Sequence, residues 1–241
     1  MKKIMMHKET EQYIVQRTER ETDDVSTIYL WPEKEKRVAY IPGQFITVYL
    51  PESGTPQGKA YSISSAPCEH TIALSVQAMG EFSRHLTSLS PGDIVHGSLP
   101  YGYFYSESED SDLVLIAAGI GIAPFRSQII EMLSKNPRRN ITLFYSAKTT
   151  KDIVFKKEFD RLESIYKTVR ILYHITREKH VGQKMNLGRI SGKKIMSVIG
   201  KKSTTEFFIC GGISFTRDIW RDLRQQGVPE EMICTEAFFS H

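Results

Sequence analysis

Hydrophobic and polar positions change rhythm once along the chain, near residue 110. Before that point apolar residues come in short runs such as "FITVYL" (45–50) and "TIALSVQ" (71–77), separated by turn sequences such as "IPGQ" (41–44) and "SPGD" (90–93). The spacing predicts strands over 13–20, 25–30, 45–50, 60–64, 71–77 and 93–99. That many short strands in about 100 residues predict a small antiparallel β-barrel. After that point the chain alternates. "LVLIAA" (113–118) is a continuous apolar run of the kind found in a buried parallel strand. "PFRSQIIEMLSKN" then sets Phe125, Ile129, Ile130 and Leu133 on one helical face, with Pro124 in the first turn. "ITLFYS", a helix near "FKKEFDRLES" and "TVRILYHIT" follow. The pattern leaves the type of "KKIMSVIG" open. "FFICGG" is a further strand, Phe215, Ile219 and Leu223 fall in helical register before Gly227, and "MICTEAF" closes as a strand. This βα rhythm predicts a doubly wound parallel α/β domain. The acidic "SESEDSD" (106–112) marks the join, so the expected division is 1–108 for the barrel and 109–241 for the α/β domain.

Composition narrows the class. The chain has 241 residues, 40% of them hydrophobic and 25% charged, which suits a packed core. No apolar run approaches the roughly 20 residues of a membrane-spanning helix. "MKKIMMHKET" is basic, but Ile4-Met5-Met6 is too short for the apolar region of a signal peptide, so a cytoplasmic location is expected. The three cysteines, Cys68, Cys210 and Cys234, have no metal-ligand spacing and do not form a disulfide framework. They are too few for an iron–sulfur cluster, which needs about four ligands. The histidines form no HxxxH or HExxH pair, and no metal site is expected. Charge is unevenly spread: residues 1–110 carry 10 Lys/Arg against 15 Asp/Glu, and residues 111–241 carry 22 against 13. The second half is either a site for an anionic ligand or acidic partner, or a solvated basic surface. Without a basic helix or an aromatic–basic RNA motif, nucleic-acid binding is not expected.

"AAGIGIAPF" (117–125) lies where a buried strand meets an amphipathic helix. Gly119 and Gly121 would let the backbone turn tightly and approach a phosphate, while the helix beginning at Pro124 offers free N–H groups. A plain strand–helix turn is the alternative. The acid that binds an adenine ribose about 20 residues on is missing: the next strand ends "YSAK", with Lys148. Farther on, Thr176, Arg177 and Lys184 in "ITREKHVGQK" form either a hydroxyl-and-cation cradle for a 2′-phosphate or a solvated loop. Cys210 ends a strand of the same sheet, so it faces the same crevice or is simply a buried structural thiol.

"KAYSISSAP" (59–67) is unusually polar for a core strand. Tyr61 suits stacking on a flat ring, Ser62 a hydrogen bond to a ring nitrogen, and Lys59 a phosphate. In "MGEFSRHL", Gly80 and Ser83 stand at a predicted helix start, a second anion-binding turn. The barrel thus offers a ring platform and two phosphate contacts.

The order of these motifs resembles the ferredoxin–NADP reductase superfamily over nearly the whole chain. Lys59-Ala60-Tyr61-Ser62 is similar to the family's RxYS flavin motif, with lysine in place of arginine. Gly80-Glu81-Phe82-Ser83 resembles its GxxS/T phosphate turn, and Gly92-Asp93 with Pro100-Tyr101-Gly102-Tyr103-Phe104 its GD…PxGxF segment. Gly119–Pro124 resembles GTGIAP, with Ile120 for threonine, and Cys210-Gly211-Gly212 the nicotinamide-side CG motif. Glu236 and Phe238 match the C-terminal acid and aromatic. Ser146 and Lys148 stand where many members have glycine and arginine, and Asn186 where some NADP users have tyrosine. The resemblance implies FAD as cofactor, with NADP, or NAD, as nucleotide. It implies Lys59, Tyr61, Ser62, Val76, Gly80, Phe82, Ser83 and Phe238 (or Phe239, covering the flavin face) on the flavin side. It implies Gly119, Gly121, Pro124, Thr176, Arg177, Lys184, Cys210, Gly211 and Gly212 on the nucleotide side. Ser62, Cys210 and Glu236 are the implied catalytic residues. The expected enzyme is a reductase with no fused iron–sulfur or globin domain, passing electrons to a separate acceptor such as a ferredoxin, a flavodoxin or an oxygenase component. A free-flavin reductase and a non-catalytic docking subunit are the alternatives.

Overall fold

The computed structural model describes residues 10–34, 37–50, 57–200 and 204–238. The first half contains β1 (Thr10–Arg20), β2 (Val25–Pro32), β3 (Phe45–Tyr49), β4 (Lys59–Ser62), β5 (Ile72–Gln77) and β6 (Ile94–Ser98), with α1 (Glu81–Thr87) between the last two. They form one antiparallel sheet in the order β4-β3-β6-β1-β2-β5. An antiparallel bridge from Ile63 to Leu74 joins its two edges, so the sheet closes as a barrel. Alternation explains the closure: Ile28, Leu30, Ile46, Val48, Leu74, Val76 and Val95 point inward, and Phe82 and Leu86 of α1 complete that core. The sequence pattern ran the fourth strand to residue 64. The regular ladder stops at Ser62, because Ser64 and Ser65 turn toward the second half of the molecule.

The second half contains β7 (Asp112–Ala118), α2 (Ala123–Lys135), β8 (Ile141–Ala147), α3 (Lys156–Ile165), β9 (Val169–Ile175), β10 (Met185–Leu187), α4 (Gly192–Ile199), β11 (Thr205–Gly212), α5 (Ile213–Gln225) and β12 (Ile233–Phe238). All pairings are parallel, in the order β10-β9-β8-β7-β11-β12. α2 and α3 cover one face through Phe125, Ile129, Leu133 and Phe159. α4 and α5 cover the other through Ile195, Ile219 and Leu223. The segment left open in the sequence is α4, started by the Ser191 hydroxyl, which accepts from Lys194 N–H. The strand β10 was not foreseen; three residues at a sheet edge leave little pattern.

The order of strands reverses direction at β7. From there the chain builds outward through β8 and β9, then returns to place β11 on β7's other side. The carboxyl ends of β7 and β11 therefore flank the crevice where doubly wound sheets bind ligands. Gly119 follows the one, and Cys210–Gly212 ends the other.

The acidic join is anchored. Arg139 donates to Ser111 O at 2.5 Å and to Ser106 Oγ at 2.9 Å, and Ser106 in turn donates to Glu206. No described helix is long and apolar enough to cross a membrane.

Candidate functional site

Three side chains from distant parts of the chain meet where the barrel touches the sheet. Ser62, at the end of β4, donates from Oγ to Glu236 Oε1 at 3.0 Å. Glu236 lies on β12 directly beside Cys210 of β11 in the parallel register. Cys210 also pairs with Ala117 of β7, next to the glycine turn. Residues 62, 210 and 236 are thus gathered by a barrel strand and two sheet strands, the arrangement expected at a switch point.

The electrostatics follow from burial. Cys210 is fully buried, and desolvation, reinforced by the Glu236 charge, raises its thiol well above the ordinary range. Burial also raises the Glu236 carboxyl, while the Ser62 hydrogen bond offsets part of that. The folded state therefore holds the Glu236 proton more tightly than the unfolded chain does. That contribution to stability is fully present below the ordinary carboxylate range and is lost as pH rises through the raised value. The Tm of the wild type, measured against Glu236→Gln in flavin-free protein, is expected to fall as pH is raised from about 4 to about 8. A difference that stays flat across the titration would refute a raised Glu236.

On the flavin-motif side, Tyr61 is half-buried and stacks on Phe82, with ring centroids 6.2 Å apart and 21° between planes. Burial pushes its hydroxyl up to about 12. The Lys59 ammonium stands 5.7 Å from the Phe82 ring centroid. Gly80 caps α1, and Ser83 Oγ accepts from the N–H groups of Met79 (2.9 Å) and Gly80 (3.0 Å) while donating to Gly80 O. The Ser83 hydroxyl is therefore engaged in shaping this turn. Val76 is buried in the barrel core, and its backbone pairs with Ser26. Phe238 is partly buried at the end of β12, opposite Gly212. Phe239 lies outside the described residues.

On the nucleotide-motif side, Gly119–Ile122 form a short 3-10 turn leading straight into α2, with Pro124 in its first turn. Gly119 has φ +54°. Gly121 has a different reason to be glycine: a Cβ there would stand 2.3 Å from Cys210 O. The turn thus rests directly on β11. A Cβ at Gly211 would meet the Phe215 ring at 2.9 Å and the Ala118 Cβ at 3.1 Å. Thr176 donates from Oγ1 to Ala147 O at 3.2 Å, Arg177 N–H donates to Lys148 O at 2.8 Å, and the side chains of Arg177 and Lys184 are exposed. Asn186 donates to Tyr173 O at 3.3 Å.

The residues present suit a flavin dinucleotide beside a pyridine nucleotide. A Cβ added at Gly80, Gly119 or Gly212 would meet nothing within 4 Å, so the backbone at these turns faces open space. Tyr61 and Phe238 supply partly buried rings, and the Ser62–Glu236 pair supplies polar atoms.

The structure also shows a device that the motif reading missed. Arg126, on the buried side of α2, hydrogen-bonds Ser64 O, Glu69 and Glu158, and the next residue, Ser127, donates to Ser65 O at 2.5 Å. The signal was the polar run Arg126-Ser127-Gln128 between Phe125 and Ile129, all of it buried on α2.

Two family models match the chain: the oxidoreductase FAD-binding domain over residues 12–105, and the oxidoreductase NAD-binding domain over residues 115–220. The chain belongs to the ferredoxin–NADP reductase superfamily and is an FAD- and NAD-binding oxidoreductase of that group. Among curated relatives, flavohemoprotein A of Dictyostelium discoideum is 30% identical over 250 residues, covering 96% of this chain and 61% of that one. The chain spans about three-fifths of the length of such relatives, 60% of the Bacillus subtilis flavohemoprotein among them. The flavohem-like FAD/NAD binding domain of nitric oxide dioxygenase from Vibrio cholerae shares the fold, with TM-score 0.83, 23% identity, and coverage of 95% and 98% of the two chains. A ferredoxin NADP+ reductase from Neisseria gonorrhoeae with bound FAD and NADP does so too, with TM-score 0.79, 22% identity, and coverage of 95% and 99%.

Proposed function

We propose that this protein takes electrons from NADPH or NADH and passes them through FAD to a separate acceptor protein, such as a ferredoxin, a flavodoxin or an oxygenase component. The observation that carries this reading is the meeting of Ser62, Cys210 and Glu236 across the two halves of the fold. Bound FAD would accept a hydride from reduced nicotinamide and release the electrons one at a time. Residues 1–108 hold the flavin in this reading. Tyr61 and Phe238 flank its ring, Lys59 neutralises the pyrophosphate, and the Gly80 turn offers backbone N–H groups to the phosphate. Residues 109–241 hold the nucleotide, with the Gly119–Gly121 turn and α2 at its phosphates. Ser62 would hold the ring edge, Cys210 would back the nicotinamide, and Glu236, whose carboxyl is raised by burial, accepts the Ser62 hydrogen bond that ties the two sides together. The likeness to flavohemoproteins supports a reductase role.

Among the described residues, Arg177 and Lys184 are exposed cations in the segment after β9, so they are proposed to favour a 2′-phosphate. Arg177→Ala is expected to raise KM for NADPH about tenfold and to leave KM for NADH within about twofold, as loss of one charge-assisted contact implies. Equal effects on both nucleotides would remove the preference.

The overall reading is tested by oxidation of NADPH or NADH with ferricyanide as artificial acceptor. Turnover that depends on FAD is expected, and no turnover with either nucleotide would favour a non-catalytic subunit. Lys59 favours one second reading, a free-flavin reductase, because a lysine offers a point charge where arginine offers a fork. Stoichiometric FAD surviving gel filtration would count against it.

A further inference from the structure

We propose that Arg126 is a positioning residue for electron transfer: it sets the register between Ser62 on the flavin side and the Cys210–Glu236 pair on the nucleotide side. The inference rests on the proposed reductase function.

The case is a closed circuit of contacts. Ser62 is bonded to Glu236, and Glu236 lies beside Cys210. Gly121 packs on the Cys210 carbonyl so closely that no Cβ fits between them. From Gly121 the chain runs without interruption through the 3-10 turn into α2, where Arg126 sits. Arg126 Nη1 donates to Ser64 O at 2.9 Å, two residues beyond Ser62, which closes the loop. The remaining donors are held in fork geometry. Glu69 accepts two bonds at 2.9 Å each, and Glu158 of α3 accepts two at 2.7 and 2.8 Å. Arg126 is only 8% exposed and its bond to Ser64 O is buried, while the Glu69 and Glu158 carboxylates keep part of their surface in solvent.

Both ends of the grip are stiff. Ser64 is fully buried, donates to Ala73 O at 3.1 Å, and accepts from Ser75 Oγ at 2.8 Å. Ser75 is in turn bonded to Thr27 at 2.9 Å and Thr27 to Glu21 at 2.8 Å, so the grip reaches three barrel strands or their ends. Ser127 and Gln128 add bonds to Ser65 O and Phe104 O. A shift of Arg126 therefore moves the barrel relative to the glycine turn rather than bending one loop. Since the two reacting rings would be held by opposite halves, such a shift changes their separation.

The test is anaerobic stopped-flow reduction of FAD-loaded protein by saturating NADPH and NADH, with C4-deuterated nucleotide in parallel. The variants are Arg126→Lys and Glu158→Gln. Lysine keeps a positive charge between the two carboxylates but cannot reproduce the fork. Glu158→Gln leaves Arg126 bonded to Glu69 and Ser64, and it reads the same grip should the lysine variant fold poorly. For Arg126→Lys the limiting reduction rate is expected to fall at least about tenfold, toward the roughly 10²-fold that a 1 Å misplacement costs. Glu158→Gln is expected to fall about three- to tenfold on the same scale. FAD content and nucleotide Kd should stay within about twofold, and a primary isotope effect should show that transfer itself is slowed. Unchanged limiting rates in folded variants overturn the proposal. So does a slowing that tracks lost FAD or weakened nucleotide binding. A wild type whose flavin neither nucleotide reduces would instead overturn the function on which the proposal rests.

Discussion

Replacing Cys210 with alanine is expected to slow flavin reduction by NADPH about 10²-fold while leaving FAD content unchanged. The Cys210 side chain is fully buried between Ala117 and Glu236, at the end of a strand whose last residues face the crevice. It lies on β11 of the second half, whereas Lys59, Tyr61 and the Gly80 turn that would hold FAD belong to the barrel. Its removal takes a buried sulfur out of the wall behind the crevice where a nicotinamide ring would dock. The loss should therefore appear in the limiting rate and not in flavin occupancy. Stopped-flow absorbance separates the two quantities, and a normal limiting rate in this variant would end the role of Cys210.

The largest effect on stability is expected from Gly121→Ala. An alanine Cβ would stand 2.3 Å from Cys210 O, 2.6 Å from its carbonyl carbon and 2.8 Å from Gly211 N. All three are backbone atoms of β11, and none is the far end of a flexible side chain. Relief requires the glycine turn to lift from the sheet, which exceeds the usual overpacking cost of about 1–3 kcal/mol. In a protein of this size that is a fall in Tm of at least about 6–12 °C, or failure to fold. Gly212→Ala is the matching control. Its φ of −65° suits any residue, and its Cβ would face open space. Its Tm should stay within about 1–2 °C of wild type, while nucleotide binding weakens. Thermal unfolding followed by circular dichroism reads both, and a Gly121→Ala protein as stable as wild type would refute the close packing.

These contrasts show which parts of the structure could be read in the sequence. Both sheets were legible, because alternation in "FITVYL" and continuity in "LVLIAA" are direct consequences of one-sided and two-sided burial. The motif order named Ser62 and Glu236 as separate site residues, and their hydrogen bond, 174 residues apart in the chain, had no signal of its own, since no local pattern carries a contact so distant. Gly121 was read as a residue that lets backbone approach a phosphate. The packing on Cys210 is a second demand on the same position, invisible until β11 is placed beside β7. Ser64 and Ser65 add to the polar texture of "KAYSISSAP", in which only Lys59, Tyr61 and Ser62 were read as ligand residues. The carbonyls of Ser64 and Ser65 receive Arg126 and Ser127, and their hydroxyls bond Ala73 and Thr71 within the barrel. The serine hydroxyls thus serve the barrel itself, and the contact with α2 is made by backbone carbonyls that any residue would carry. Sequence alone does not distinguish a serine that meets a ligand from one that bonds its own barrel.

The most direct measurement is the visible spectrum of the FAD-loaded protein before and after anaerobic addition of NADPH, repeated with NADH. Bleaching of the flavin bands on mixing is the expected result. It requires that the barrel hold FAD, that the α/β half hold the nucleotide, and that the site around Ser62, Cys210 and Glu236 bring them together. Flavin bands that persist at saturating concentrations of both nucleotides would contradict the proposed electron path from nicotinamide to flavin.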